Sequence, residues 1–557
     1  MDGRVNRAFV ILTFLSLLTI SYAGDRDVVS VRWIDHDTKD IAEPRERQFN
    51  YAHYVLDSNF IEQLTQNLDA PRWFRKIAGR PKQAANVNAV DEVPDSSWYT
   101  NRHHLRRMSL DDLERGTRLG PPPDWSNAIV SSAKIGGVTP GLRLKDARGH
   151  SFIVKFDNKD YPELQSGAEM VSTLILHAAG YNVPENHIAY LDPEQLRIEQ
   201  GVEIDDPQTG LKRPLTQADL DSLFQRVARR PDGRYRVLAS RILPGKPKGP
   251  FAHVGIRRDD PNDRVPHEHR RELRGLRVIA SWLNHWDMKE ENSLDMYVEE
   301  DNRRFLRHYL IDFGSTLGGG KQPMEYFHGR ESALDAGSIF SELFSLGLYR
   351  SADEKQGILV SPAIGMFSNE DFDPEGWKPS FPVMSFENMT NTDAFWATRI
   401  ILSFTGDELR RIIERAEYTR TEDAEYLLKT LLGRREIIAK EWLSKVNPIA
   451  GFRVEGDGKG FVLRFRDLML DNDFAAGPSR YQYRMESQRR TTDVLETETP
   501  QVVLDPMIAG VRDHSAETPI EVTLRTKNNG LVSEPVHVHL LYKPAQATIH
   551  LVGITRG

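Results

Sequence analysis

The sequence predicts an α+β fold: a small mixed α/β lobe and a mainly helical lobe, with an irregular extension before them and a β-sandwich after them. Three observations predict it. Between 126 and 243, short apolar–polar alternations flank a single helical stripe. From 267 to 443 helical spacing dominates. From 451 onward alternation returns, broken by turn residues. At 557 residues the chain exceeds a single core, and about two to four domains are expected.

The first element is a leader, residues 1–23. Arg4 and Arg7 precede an apolar run from Ala8 to Ile20, and Ser21-Tyr22-Ala23 supplies small residues for cleavage near Ala23. The protein is therefore expected to be exported, to a periplasm, the exterior or a secretory lumen. No other stretch is long and apolar enough to span a bilayer, so no transmembrane segment is expected in the mature chain. Residues 24–125 are polar, with scattered Trp33, Trp73, Trp98 and Trp125, and read as an irregular extension ending at Pro121-Pro122-Pro123.

The mixed lobe is assigned to 126–243. Gly136 to Gly141 forms a glycine-rich turn. Leu142–Leu144 and Phe152–Phe156 flank the turn Asp146–Gly149 as a hairpin. Glu163 to Ala179 places Ala168, Val171, Leu174, Ile175 and Ala178 on one helical face, and Gly180 is set to end it. His187–Leu191 and Arg236–Ile242 read as strands around a charged insert. The helical lobe, 244–450, opens with the stripe Leu273, Leu276, Ile279, Ala280 and Leu283. Later helices run through Asp393 to Ala416 and Glu422 to Leu443. In 451–557, Phe452–Val454, Phe461–Phe465, Ile520–Arg525 and Val536–Leu541 alternate like strands of a sandwich.

Composition excludes several chemistries. There is no cysteine, which removes disulfides, thiol nucleophiles and zinc–thiolate clusters. A net charge of −8 argues against a nucleic-acid coat, and no nucleic-acid partner is expected. Walker A, Gly-x-Ser-x-Gly and His-Glu-x-x-His sequences are all missing. His537 and His539 alternate on one strand face and read as a surface pair.

One constellation carries chemistry. His285-Trp-Asp287-Met-Lys289-Glu-Glu-Asn292 is followed, after a hairpin, by Asp312-Phe313-Gly314. Phosphoryl transfer needs a carboxylate beside the acceptor hydroxyl and a metal bridging the phosphates. Asp287 suits the first role; Asn292 and Asp312 suit the second. Lys289 would neutralise charge on the phosphate in flight, and Gly314 would free the backbone that aims Asp312.

These residues resemble the catalytic loop and metal-binding motif of the protein-kinase-like superfamily, whose loop reads His-Arg-Asp-Leu-Lys-Pro-Glu-Asn. His285, Asp287, Lys289, Glu291 and Asn292 match it directly. The resemblance covers about 130 to 445. It implies a bilobal kinase-like fold, ATP as co-substrate and Mg2+ or Mn2+ as cofactor, bound by Asn292 and Asp312. It also implies that Lys155 holds nucleotide phosphates, paired with Glu169 or its competitor Glu163, with Gly136, Gly137 and Gly141 covering them. His285 would be a packed histidine supporting the Asp312 loop. Trp286 replaces the family's usual arginine, and no Ala-Pro-Glu follows. The layout is thus closer to atypical branches such as the HipA-type, phosphoinositide-kinase-like and secretory-pathway kinases. The acceptor is open among protein, lipid and saccharide. A catalytically silent binding or scaffold protein, and nucleotidyl transfer by the same groups, are the alternatives.

Overall fold

The computed structural model describes residues 37–118, 120–134, 140–206, 209–320, 325–332, 357–456, 460–475, 477–488, 490–509, 516–528 and 530–557. The expected leader (1–23), Gly136 and Gly137 lie outside these residues. The secondary structure is α+β.

A six-stranded sheet opens the central part. Its strands are β1 (Ala128–Lys134), β2 (Gly141–Lys145), β3 (Ser151–Phe156), β4 (Asn186–Leu191), β5 (Leu196–Ile198) and, after a small hairpin β6 (Glu203–Asp205) and β7 (Lys212–Pro214), β8 (Tyr235–Arg241). Their order is β4-β8-β3-β2-β1-β5, antiparallel except where β5 runs parallel to β1. Phe152, Val154 and Phe156 alternate into a core with Leu144, Val237 and Trp125. The alternate residues Ile153 and Lys155 therefore face the other side. Register places Gly141 directly across from Lys155. β1 and β5, unassigned in the sequence, widen the sheet because the charged insert returns alongside it.

Helix α1 (Leu164–Ala179) packs behind this sheet and ends at Gly180, whose φ is 122°. A Cβ there would strike the Tyr99 ring, so only glycine fits. Next come β9 (Lys246–Pro247), helix α2 (Arg271–Leu283) and the hairpin β10 (Ser293–Glu300) and β11 (Arg303–Leu310). Helices α3 (Asn391–Leu402) and α5 (Thr421–Ser444) pack on α2, and α4 (Gly406–Glu414) packs on α5 and α1. The helix expected from Asp393 to Ala416 is broken at Thr405, whose capping box with Glu408 starts a new helix. No helix of the described residues is long and apolar enough to cross a membrane.

The expectation of an irregular extension is corrected in part. Tyr51–Leu56 continues through a π-helical turn, Asp57–Ile61, into Glu62–Leu68, followed by Ala70–Ile77. The rest does wrap the body. Ile41 N–H donates to Arg304 O on β11 at 2.8 Å, and Trp98 stacks on His308 with centroids 3.6 Å apart.

Two sheets form the C-terminal part. One orders β12 (Ile449–Gly456), β13 (Phe461–Asp467) and β16 (Gln501–Val503). The other runs β15-β14-β17-β19-β20, built from β14 (Arg480–Ser487), β15 (Leu495–Thr497), β17 (Thr518–Asn528), β19 (Val536–Lys543) and β20 (Thr548–Arg556), with β18 (Leu531–Val532) on β17. Leu463, Phe465, Tyr481, Val522 and Val538 meet in one core between them. His537 and His539 both lean on Glu521, at 2.9 and 3.7 Å.

Candidate active site

The α2 helix ends in Asn284, which adopts the left-handed conformation at φ 50° and so turns the chain sharply after the last helical turn. The following residues, His285 to Asn292, are held from beneath. Glu290 accepts from the His253 backbone N–H at 2.8 Å and from Arg47 Nη2 at 2.6 Å. Asn292 Nδ2 donates across the loop to Asp287 O at 2.7 Å and to Asp287 Oδ2 at 3.2 Å. The amide thus spends its nitrogen on orienting Asp287. Lys289 Nζ lies 3.5 Å from Asp287 Oδ2 and 3.3 Å from Glu291 Oε2.

Asp312 sits at φ 63°, a conformation an aspartate adopts at some cost. Its Oδ1 is 2.9 Å from Lys155 Nζ. That ammonium also reaches Glu169 Oε2 at 2.8 Å and Oε1 at 3.0 Å. Glu169 is buried on α1. Glu163, the competing candidate, is engaged elsewhere: it accepts from Thr419 N–H at 2.9 Å. His285 is buried beneath Phe313 with ring centroids 5.7 Å apart, as expected of a packed histidine.

Electrostatics separate these groups. Burial disfavours the Lys155 ammonium, but the carboxylates of Asp312 and Glu169 outweigh it and hold its pKa above the ordinary range. Lys155 in turn holds Asp312 below the usual carboxylate range against its partial burial. Burial pushes the Glu169 carboxyl up, with Lys155 opposing. Burial likewise raises Asp287, against the pull of Lys289. His285 is lowered to about 4 by burial, so it is neutral at neutral pH.

Lys155, Glu169, Asp287, Lys289 and Asp312 open on one cavity of about 960 Å³, while Asn292 and His285 lie outside its lining. Gly141, Ile153 and Lys155 form one wall; Asp287, Lys289 and Asp312 form the other. Gly136 and Gly137 fall outside the described residues, so of the glycine turn only Gly141 is placed. Sequence reasoning missed the aromatic end of the cavity. There Trp286 stacks on His328 at 3.7 Å, and Tyr51, from the extension, meets Phe381 edge-on at 6.2 Å. Only Trp286 lies within a motif; the others are brought in by tertiary contact.

The oxygen donors suit a hard divalent cation such as Mg2+ or Mn2+. Lys155 engages Asp312 Oδ1, leaving Oδ2, and the Asn292 amide keeps its oxygen for a ligand. Among the described residues no group of three or more His, Asp or Glu side chains is gathered to hold a metal alone.

No family model matches the chain, and no curated protein does. Among solved structures, the chain is similar to the Helicobacter pylori proinflammatory kinase CtkA, at 12% identity and TM-score 0.30, over 55% of this chain and 93% of that one. It is also similar to the Golgi casein kinase, at 11% identity and TM-score 0.27, over 74% of this chain and 97% of that one. The Golgi casein kinase with Mn/ADP bound gives 11% identity and TM-score 0.24 over the same shares. Likeness at this level carries no argument for fold or activity, which rest on the geometry above.

Proposed function

We propose that the protein is an exported, atypical kinase-like phosphotransferase that moves phosphate from ATP to an acceptor hydroxyl. The observation that carries this reading is the Lys155 ammonium, held 2.8 Å from Glu169 and 2.9 Å from Asp312 on the wall of the cavity that Asp287 also lines. A structural ion pair has no need of an open cleft, a third carboxylate and a cross-loop amide. In this reading Lys155, positioned by Glu169, binds nucleotide phosphates beneath the turn containing Gly136, Gly137 and Gly141. Asn292 and Asp312 hold Mg2+ or Mn2+, which neutralises charge on the phosphates. Asp287 orients the acceptor hydroxyl and takes its proton, and Lys289 balances charge beside it. His285 supports the Asp312 loop from below. The division into lobes at 126–243 and 244–450, and the two C-terminal sheets as a β-sandwich of 451–557, belong to the same reading. So does removal of residues 1–23.

The test is transfer from γ-labelled ATP with Mg2+ or Mn2+ to protein, lipid and saccharide acceptors, comparing wild type with Asp312→Ala. Transfer by the wild type alone supports the proposal. Equal inertness of both across all acceptors, with no nucleotide-dependent rise in melting temperature, replaces it with a silent binding role. Transfer of an α-label in place of the γ-label would assign nucleotidyl transfer to the same groups.

A further inference from the structure

The helical part of the extension is amphipathic in the wrong sense for a packed helix. Its inward side is polar: Ser58 is buried, Glu62 is raised to about 7 chiefly by burial, and Gln66 reaches Met384. Its outward side is mostly apolar, with exposed Asp57 at the matching spacing before Phe60 and Leu64. Phe60, Leu64 and Leu68 are 56%, 61% and 74% exposed, and Phe74 and Ile77 on the next helix are both 66% exposed. An ordinary surface helix turns its apolar side to the core. An apolar face of this size turned to solvent marks a docking surface.

Charge identifies the partner. From Ala70 to Val90 there is no acidic residue, while Arg72, Arg75, Lys76, Arg80 and Lys82 fall within thirteen positions. The chain as a whole carries −8, so this basic stretch runs against its average. Among the described residues Arg75 and Arg80 are exposed and form no ion pair. Apolar and aromatic side chains flanked by unpaired cations, on a helix lying along the surface, have the composition of an interfacial membrane helix. A protein partner would equally bury the apolar side chains, but it would not by itself require a run of cations free of acid. We infer that residues 56–82 dock the protein onto an anionic lipid surface, with Phe60, Leu64 and Phe74 entering the acyl boundary and Arg75 and Arg80 meeting lipid phosphates.

The experiment is co-sedimentation of the full chain with vesicles of phosphatidylcholine, or of equal parts phosphatidylcholine and phosphatidylglycerol, at low and high salt. Binding to the anionic vesicles that weakens with salt is expected. The pair Leu64→Ser and Phe74→Ser should lower partitioning about a hundredfold or more. The pair Arg75→Glu and Arg80→Glu should abolish the preference for phosphatidylglycerol. All four positions are exposed, so an unchanged melting temperature verifies the fold of each variant. The inference is overturned if the wild type ignores anionic vesicles. It is overturned equally if both variants bind as the wild type does, which would place binding in the apolar leader or elsewhere. It also fails if sedimentation equilibrium shows the face joining two copies of the chain, an association lost in Leu64→Ser.

Discussion

At the scale of single residues, the cleft separates groups by what each must do while charged. Asp312 is held ionised by Lys155, whereas Asp287 is raised by burial. If Asp287 takes the acceptor proton, the rate should fall on acidification at a pH above the ordinary carboxylate value of about 3.9. Replacement by Asn should remove that limb along with most of the rate, and a kcat/KM profile against pH would show both. Asp312→Asn keeps the shape and removes the charge. A loss of about a hundredfold or more in transfer is expected, together with loss of the metal-dependent rise in melting temperature. The motif residues Asp287, Asn292 and Asp312 were legible in the sequence because they lie close along the chain and their order is distinctive. Lys155 and Glu169 were legible only by their position relative to that loop. Tyr51 was not legible at all: its place in the cavity depends on docking through Arg47 and Glu290, which are 243 residues apart.

At the scale of elements, patterns with a full apolar stripe were read correctly, and those with mixed faces were not. The β2–β3 hairpin, α1 and α2 each carry a clean period and fell within a residue or two of expectation. β14 reads Arg-Tyr-Gln-Tyr-Arg-Met-Glu-Ser; Tyr481, Tyr483 and Met485 alternate toward the core, a period overlooked among its polar neighbours, and the strand is paired on both edges. The helix at Glu62 was hidden because its inward side is polar. That side has a measurable consequence. Glu62 ionises near 7 in the fold and near 4.3 when unfolded, so the folded form binds its proton more tightly. Its contribution is therefore fully favourable at low pH and is lost as pH rises to about 7. Glu62→Gln should leave stability unchanged near pH 4 and raise it by roughly 1–3 kcal/mol above pH 7, read by urea titration at the two values. Between α2 and α3, a Cβ at Gly275 would lie 2.8 Å from the Trp396 ring. Gly275→Ala should cost about 1–3 kcal/mol by forcing these helices apart.

At the scale of the whole molecule, neutral histidines that are buried or half-buried are spread through the chain. His104, His253 and His285 are lowered to about 4 and His177 to about 3, in each case chiefly by burial. Their folded values lie below the ordinary value of about 6.5, so the stability tied to their neutral forms is present above that pH and lost as pH falls toward 4. Acid unfolding within that window, with net proton uptake, is the expected outcome of a pH titration followed by circular dichroism. The parts are also joined by buried charge. Asp91 of the extension takes Arg271 of α2 at 2.6 Å and Arg556 of β20 at 2.7 Å, while Arg271 reaches Asp393 of α3 at 3.1 Å. Asp91→Ala leaves buried Arg556 without a carboxylate and Arg271 with Asp393 alone, and should cost about 3–5 kcal/mol.

That junction also sets a clock. Arg556 is the last partner to leave the ribosome, and Ile554 N–H closes on Ala89 O at 2.8 Å in the same place. Until then Asp91 and Arg271 lack their third member, and Ala89 lacks the strand it meets. The link between the extension and the C-terminal sheet can therefore form only after β20 has been made.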